Sequence, residues 1–308
     1  MPSLVPADQV FLTDSGLETD LLFHHGVELP SFSVFPLLAA PAGRALLTNY
    51  FREHIALAEQ AGLGLILETP TWRASQRSGD VVGYSAAALA AANRDAVDLL
   101  AGLAVAASTP VLISGCVGPR GDGYRPAEQM TAQEAEAYHA PQIHALAAAD
   151  LISGLTLGSV EEAIGIVRAA QQVEKPVVVS FTLERDGRLP DGTPLGDAIR
   201  AVDDQTDQAA AWFMVNCAHP EHILPAVEAG PAVEAGAAWL NRVRAVRVNA
   251  SRLSHAELDN SDQLDDGDPV ALAQQVVDLR QHLPRLHILG GCCGTDLRHI
   301  GEIARALA

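Results

Sequence analysis

Short apolar runs bounded by glycine, proline or polar turns alternate along this chain with longer stretches rich in alanine and leucine. A run of about four to eight apolar residues suits a strand buried on both faces of a parallel sheet, and the longer stretches suit the crossover helices between such strands. Eight strands are expected, near Val10–Thr13, Leu63–Leu67, Val111–Ser114, Leu151–Ser153, Val177–Phe181, Trp212–Val215, Ala245–Val248 and His287–Leu289. The segments Pro41–Ala61, Ala86–Ala107, Thr131–Ala149 and Pro269–His282 are long enough for crossover helices. Eight βα units favour a closed α/β barrel of the (β/α)8 (TIM) type, with a doubly wound open sheet as the alternative. No linker and no repeat beyond the βα alternation interrupts the pattern. Residues 1–308 are therefore expected to form one barrel domain, a length that such barrels reach around one core.

Composition narrows the function. With 48% hydrophobic and 19% charged residues the chain can bury a large interior. A formal charge of −18 repels phosphate backbones and anionic lipid surfaces, which argues against nucleic-acid and membrane partners. The segment Met1–Ala7 lacks a basic start followed by an apolar run, and no apolar stretch reaches membrane-spanning length, so a soluble cytoplasmic protein is expected. Without an export signal, the four cysteines Cys116, Cys217, Cys292 and Cys293 suit metal or redox chemistry better than a disulfide framework.

Polar residues collect after the expected strands, where a barrel builds its active site. Asp14-Ser15-Gly16-Leu17-Glu18-Thr19 follows the first strand and Glu68-Thr69-Pro70-Thr71-Trp72 the second. Gly115-Cys116-Val117-Gly118-Pro119 follows the third, Asn216-Cys217-Ala218-His219-Pro220 the sixth, Asn249-Ala250-Ser251 the seventh and Gly290-Gly291-Cys292-Cys293-Gly294 the eighth. Three cysteines thereby converge on one face. Adjacent cysteines close a disulfide only with strain, whereas flanking glycines let both sulfurs of Cys292 and Cys293 turn toward one metal. Together with Cys217 they supply three corners of a tetrahedral zinc site and leave the fourth for a substrate. From spacing alone, a buried pair of small apolar side chains is an equal reading of Cys292-Cys293. An iron–sulfur cluster lacks the recurring close cysteine spacings.

The segments Val215-Asn216-Cys217 and Gly290-Gly291-Cys292-Cys293-Gly294, with Asp14-Ser15-Gly16 near the start, resemble the homocysteine S-methyltransferase family. That family includes betaine- and S-methylmethionine-dependent enzymes and the homocysteine module of cobalamin-dependent methionine synthase. The resemblance runs from Phe11 to Ala306. It implies a zinc-bearing barrel that activates homocysteine for methylation to methionine, with a small-molecule methyl donor and a thiol acceptor as partners. Carried onto this chain, it makes Cys217, Cys292 and Cys293 the metal-binding and catalytic residues and Asp14, Ser15, Gly16, Glu68, Thr69 and Asn249 the substrate-binding residues, with Asn249 also a candidate fourth zinc ligand. One departure stands out. Many relatives carry Glu-Thr or Glu-Tyr after strand four, the carboxylate being available to the homocysteine ammonium, and Leu155-Thr156 occupies that place here. Asp14, Glu18 or Glu68 would then have to compensate, or the acceptor is a different thiol.

Other residues carry weaker signals. Trp72 and Tyr124 are candidate faces for a sulfonium or quaternary ammonium donor, set against ordinary packing. His219 reads as a helix start beside Pro220 rather than a ligand, Cys116 as a replacement for a small serine in the strand-three turn, and the acidic stretch Glu257–Asp268 as a solvated loop or, because it follows strand seven, as an attractor of a cationic methyl donor. Two readings from other classes stay open: a noncatalytic zinc- or thiol-binding barrel, and a barrel lyase whose cysteines hold no metal.

Overall fold

The computed structural model describes residues 4–6, 8–125, 129–228, 237–258 and 263–307. Eight parallel strands close a barrel in sequential order: β1 (Phe11–Thr13), β2 (Gly64–Glu68), β3 (Val111–Val117), β4 (Leu151–Leu157), β5 (Val177–Phe181), β6 (Ala210–Asn216), β7 (Val243–Val248) and β8 (Ile288–Gly291). Closure is made by β8 pairing with β1, Phe11 opposite Ile288 and Leu12 opposite Leu289. The (β/α)8 expectation holds, and the open sheet is excluded.

Each crossover helix starts and stops where local chemistry dictates. The helix Pro41–Ala61 has proline in its first turn, where no amide donor is needed, and ends at Gly62 in the left-handed conformation. Thr131 and Glu134 form a reciprocal capping box at the start of Ala132–Ala145, and the Asp268 side chain accepts from the Val270 and Ala271 amides at the start of Pro269–Asp278. Among the described residues no helix is long and apolar enough to cross a membrane.

Two apolar cores follow from strand alternation. Outward positions such as Leu65, Leu67, Val179, Phe213 and Val246 pack against the helices. Inward positions Phe11, Ile66, Leu151, Val178, Trp212 and Ile288 fill the barrel itself. Two residues further along, on the same inward face, the side chains become polar: Ile66 gives way to Glu68, Leu151 to Ser153, Val178 to Ser180, Met214 to Asn216 and Ala245 to Arg247. The barrel is thus dry at one end and polar at the other, which is the end that carries the cysteines.

Strands β3 and β4 run further than the sequence suggested. Cys116 pairs in register with Ser153, and Leu157 with Phe181, so Cys116 and Leu155 lie within strands and point to the barrel interior rather than sitting in turns. Gly115 and Gly154 in these runs masked the strand signal, because they add no apolar side chain to the pattern.

Candidate active site

The C-terminal ends of β6 and β8 bring the Sγ atoms of Cys217, Cys292 and Cys293 within 4.8 Å of one another. Backbone bonds fix the three segments: the Cys217 amide donates to the Arg247 carbonyl at 2.9 Å, the Cys292 amide to Val248 at 2.7 Å and the Ala250 amide to Cys293 at 3.1 Å. Cys217 has φ 54°, a left-handed conformation that costs a residue with a Cβ about 1–2 kcal/mol. Gly290 is required by close packing, since a Cβ there would lie 1.9 Å from Thr13 Oγ1.

Two asparagines point their amides at the sulfurs. Asn249 Nδ2 donates to Cys217 Sγ, and Asn216 Nδ2 to Cys292 Sγ, each at 3.7 Å. Asn216 also accepts from the Thr156 amide at 2.7 Å and the Ser180 hydroxyl at 2.6 Å, holding the left-handed Thr156 of β4 (φ 60°) beside the cysteine segment. Hydrogen bonds from the Cys217 and Cys293 thiols hold the Cys292 thiol well below its ordinary pKa, with Arg247 and Asn216 adding smaller contributions. The Cys217 thiol, tied to Cys292, is pushed up in turn. Asn249 Oδ1 accepts from the Ser251 amide at 3.0 Å, so it is the amide nitrogen that faces Cys217.

Beneath the cysteines lies a buried charge cluster. Arg247 Nη1 is 2.5 Å from Asp14 Oδ1, and the other Asp14 oxygen accepts from the Glu68 amide at 3.0 Å. Burial works against the charge of Arg247, but Asp14 and Glu68 outweigh it and hold the guanidinium more firmly protonated than an ordinary arginine. Burial also pushes the carboxyls of Glu68 and Glu18 up to about 7. These groups, the cysteines and Leu155 line one cavity of about 730 Å³.

The residues expected at the site do not all face it in the same way. The Ser15 hydroxyl donates to His54 Nε2 at 3.0 Å, and its amide to the Tyr50 hydroxyl at 3.1 Å, which ties it to the helix Pro41–Ala61. Gly16 permits close approach, since a Cβ there would lie 2.4 Å from the Cys292 carbonyl oxygen. Thr69 Oγ1 accepts from the Cys116 amide at 2.9 Å and shares a 2.7 Å bond with Thr71, closing the turn after β2. His219 Nδ1 accepts from the Glu221 amide at 3.2 Å, the helix start that the sequence suggested.

Two expectations need correction. Trp72 already carries a cation, because the Arg73 guanidinium lies 4.0 Å from its ring centroid. The described part of Glu257–Asp268 is not merely solvated: Asp265 accepts from the Ser251 hydroxyl at 2.5 Å, Asp266 pairs with Arg298 at 2.7 Å, and Gln263, Leu264 and Asp265 border the cavity. Residues 259–262 of that stretch lie outside the described residues. Tyr124 stacks on His255 with ring centroids 3.6 Å apart, and its hydroxyl hydrogen-bonds Cys217. Arg247 and His255 were not anticipated. Arg247 was legible in principle, as a charged residue two positions after Ala245 on the inward face of an otherwise apolar strand.

Residues 11–307 match the sequence family described as homocysteine S-methyltransferase. The chain belongs to that family. Its members are S-methyltransferases, and the chain is accordingly a thiol methyltransferase that uses a small-molecule methyl donor and a thiol acceptor. The barrel is similar to that of the Escherichia coli homocysteine methyltransferase MmuM. The oxidized form superposes with a TM-score of 0.77 at 22% identity, covering 99% of this chain and 98% of that one. The metallated form gives 0.69 at 20% identity, with 97% and 96% covered. Among curated proteins no sequence matches the chain.

Proposed function

We propose that this chain, acting as one barrel domain, is a zinc-dependent enzyme that moves a methyl group from a sulfonium or ammonium donor to homocysteine, giving methionine. The observation that carries the reading is the trio of thiols converging at the wall of a deep cavity. The donor set fits the metal: three soft sulfur ligands from two strand ends, with one side open to the cavity, match a zinc site that keeps a position for substrate. Cys217, Cys292 and Cys293 would hold the ion, and the metallated form of MmuM is in keeping with this. When bound, zinc lowers the pKa of a thiol and so keeps the acceptor sulfur as its thiolate.

The protein's own residues do the rest. Asn216 and Asn249 donate to the cysteine sulfurs and fix their orientation, the role that outer partners serve around a metal. Asp14, Gly16 and Glu68 form the polar floor on which the acceptor's charged end rests, and Ser15 and Thr69 hold the two loops that carry them. The Tyr124–His255 stack offers an aromatic wall for a cationic donor. The new carbon–sulfur bond forms as the donor's carbon–heteroatom bond breaks, and the donor leaves as a neutral thioether or amine. Holding both partners in line within one cavity removes the entropic cost of their encounter.

The experiment is a zinc determination on purified protein combined with a screen of thiol acceptors against sulfonium and quaternary ammonium donors. One zinc per chain and homocysteine-dependent release of demethylated donor is the expected result. Stoichiometric zinc retained after joint replacement of Cys217, Cys292 and Cys293 by serine would sink the metal assignment. Turnover with another thiol but not homocysteine would reassign the acceptor, and Leu155 is the residue that favours such an outcome.

A further inference from the structure

We propose that Glu68 receives the primary ammonium group of the acceptor, so that the enzyme selects an amino-acid thiol through a carboxylate on β2. The proposal rests on the methyl-transfer reading above, with the acceptor sulfur held at the cysteine trio. Among the described residues five carboxyls line the cavity: Asp14, Glu18, Glu68, Asp122 and Asp265. Three of them are already engaged. Asp14 is paired with Arg247 and accepts from the Glu68 amide, Asp122 accepts from the Tyr124 amide at 2.9 Å, and Asp265 accepts from the Ser251 hydroxyl at 2.5 Å. Glu18 lies beside Cys292, whose charge adds to the burial that pushes its carboxyl up.

Glu68 differs. Its residue is 7% exposed; Ser114 and Ser153 hydrogen-bond its carboxyl, while its Oε2 stays buried without a partner. Buried polar atoms in folded proteins nearly always have partners, and an orphaned acceptor at a cavity wall calls for a donor supplied by the ligand. Arg247 is the cation that Glu68 feels, but its guanidinium is already paired with Asp14. A sulfonium or quaternary ammonium donor has no N–H or O–H to give, whereas a primary ammonium has three N–H groups. On β4, Leu155 offers only apolar surface to the same cavity, so no carboxylate from that strand competes. Arg247 bridges the two halves of the floor, feeling the charge of both Glu68 and Cys292. Glu68 therefore lines the same cavity as the sulfurs, within which a sulfur-anchored acceptor extends its amino-acid end. Burial that raises its carboxyl is relieved when a cation arrives.

The test compares binding of homocysteine and of γ-mercaptobutyrate, which has hydrogen in place of the amino group, to the zinc-loaded protein by calorimetry above neutral pH. The wild-type protein should prefer homocysteine by roughly 10- to 100-fold, the range of a charge-assisted hydrogen bond. Glu68→Gln, nearly isosteric, should bring that preference down to a few-fold while leaving γ-mercaptobutyrate binding and zinc content unchanged. Glu18→Gln should keep the preference. Equal binding of the two thiols by the wild-type protein, an undiminished preference in Glu68→Gln, or loss of the preference in Glu18→Gln instead would each overturn the proposal while leaving the methyl-transfer reading intact. Binding of neither thiol by the zinc-loaded wild-type protein would overturn the methyl-transfer reading and this proposal with it. Glu68→Asp, which keeps the charge but withdraws it from the cavity, gives a second reading: it should also reduce the preference for homocysteine, and an undiminished preference there would overturn the proposal.

Discussion

Replacing Arg247 by methionine tests the charge cluster beneath the cysteines. The side chain is buried, its Nη1 is 2.5 Å from Asp14 Oδ1, and its Nη2 donates to the Ser15 carbonyl at 3.3 Å. Methionine fills much of the same volume but leaves Asp14, 2% exposed, with the Glu68 amide as its remaining donor. Breaking a buried pair from one side costs about 3–5 kcal/mol, because the surviving charge stays buried without compensation. The lost bond to Ser15 adds about 1 kcal/mol. Urea unfolding followed by tryptophan fluorescence should therefore show Arg247→Met destabilised by about 4–6 kcal/mol. The double variant Asp14→Asn/Arg247→Met removes both charges, and its amide oxygen can still accept from the Glu68 amide. It should recover about 2 kcal/mol or more relative to the sum of the two single changes. If Arg247→Met lies within about 1 kcal/mol of wild type, or the two changes add without coupling, the pair does not organise the floor as argued.

Further outcomes follow from the same geometry. Cys292→Ser and Cys293→Ser should each lose zinc and activity while keeping the far-ultraviolet dichroism of the barrel, since the sulfurs sit at the loop end rather than in the core; global unfolding of both would show that the site holds the fold together. Asn216→Ala leaves the Thr156 amide and the Ser180 hydroxyl buried without their acceptor and should cost about 2–5 kcal/mol in chemical denaturation; a neutral change would remove Asn216 from the positioning role. Glu68 binds its proton more tightly folded, at about 7, than unfolded, near 4.5, so the stability it contributes is complete below the unfolded value and is lost as pH rises through about 7. Relative to wild type, Glu68→Gln should therefore gain about 3 kcal/mol between mildly acidic and mildly alkaline pH, and a pH-independent difference would show that the carboxyl is not raised.

The barrel was legible because its signals are periodic: apolar runs at βα spacing and helices beginning at Pro41 and Pro269, the first ending at Gly62. The cysteine trio was legible because strand ends in a barrel share one face, so residues remote in sequence converge. Harder to read were the ends of β3 and β4, where Gly115 and Gly154 break the apolar pattern although the backbone continues in register with its neighbours. Arg247 sat inside a run treated as uniformly buried, and only strict inward–outward counting from Ala245 isolates it. The partner of Trp72 could not be foreseen, because a chain neighbour such as Arg73 folds back over a ring only when the loop directs it there. The bonds of Asp265 and Asp266 likewise depend on where Ser251 and Arg298 come to lie.

The division of the barrel interior into a dry end and a polar end bears on how such an enzyme can diversify. Ile66, Leu151, Val178, Met214 and Ala245 belong to the apolar layer, and Glu68, Ser153, Ser180, Asn216 and Arg247 stand two residues further along the same strands. A change at Glu68 or Leu155 alters what the cavity accepts without disturbing the layer that sets strand register. Substrate preference can therefore drift while the scaffold is conserved, and a recognising charge can migrate from one strand to another around the rim in single substitutions. Within such a lineage, inward positions at the polar end should be the more informative guide to substrate, and the apolar layer below them to common descent.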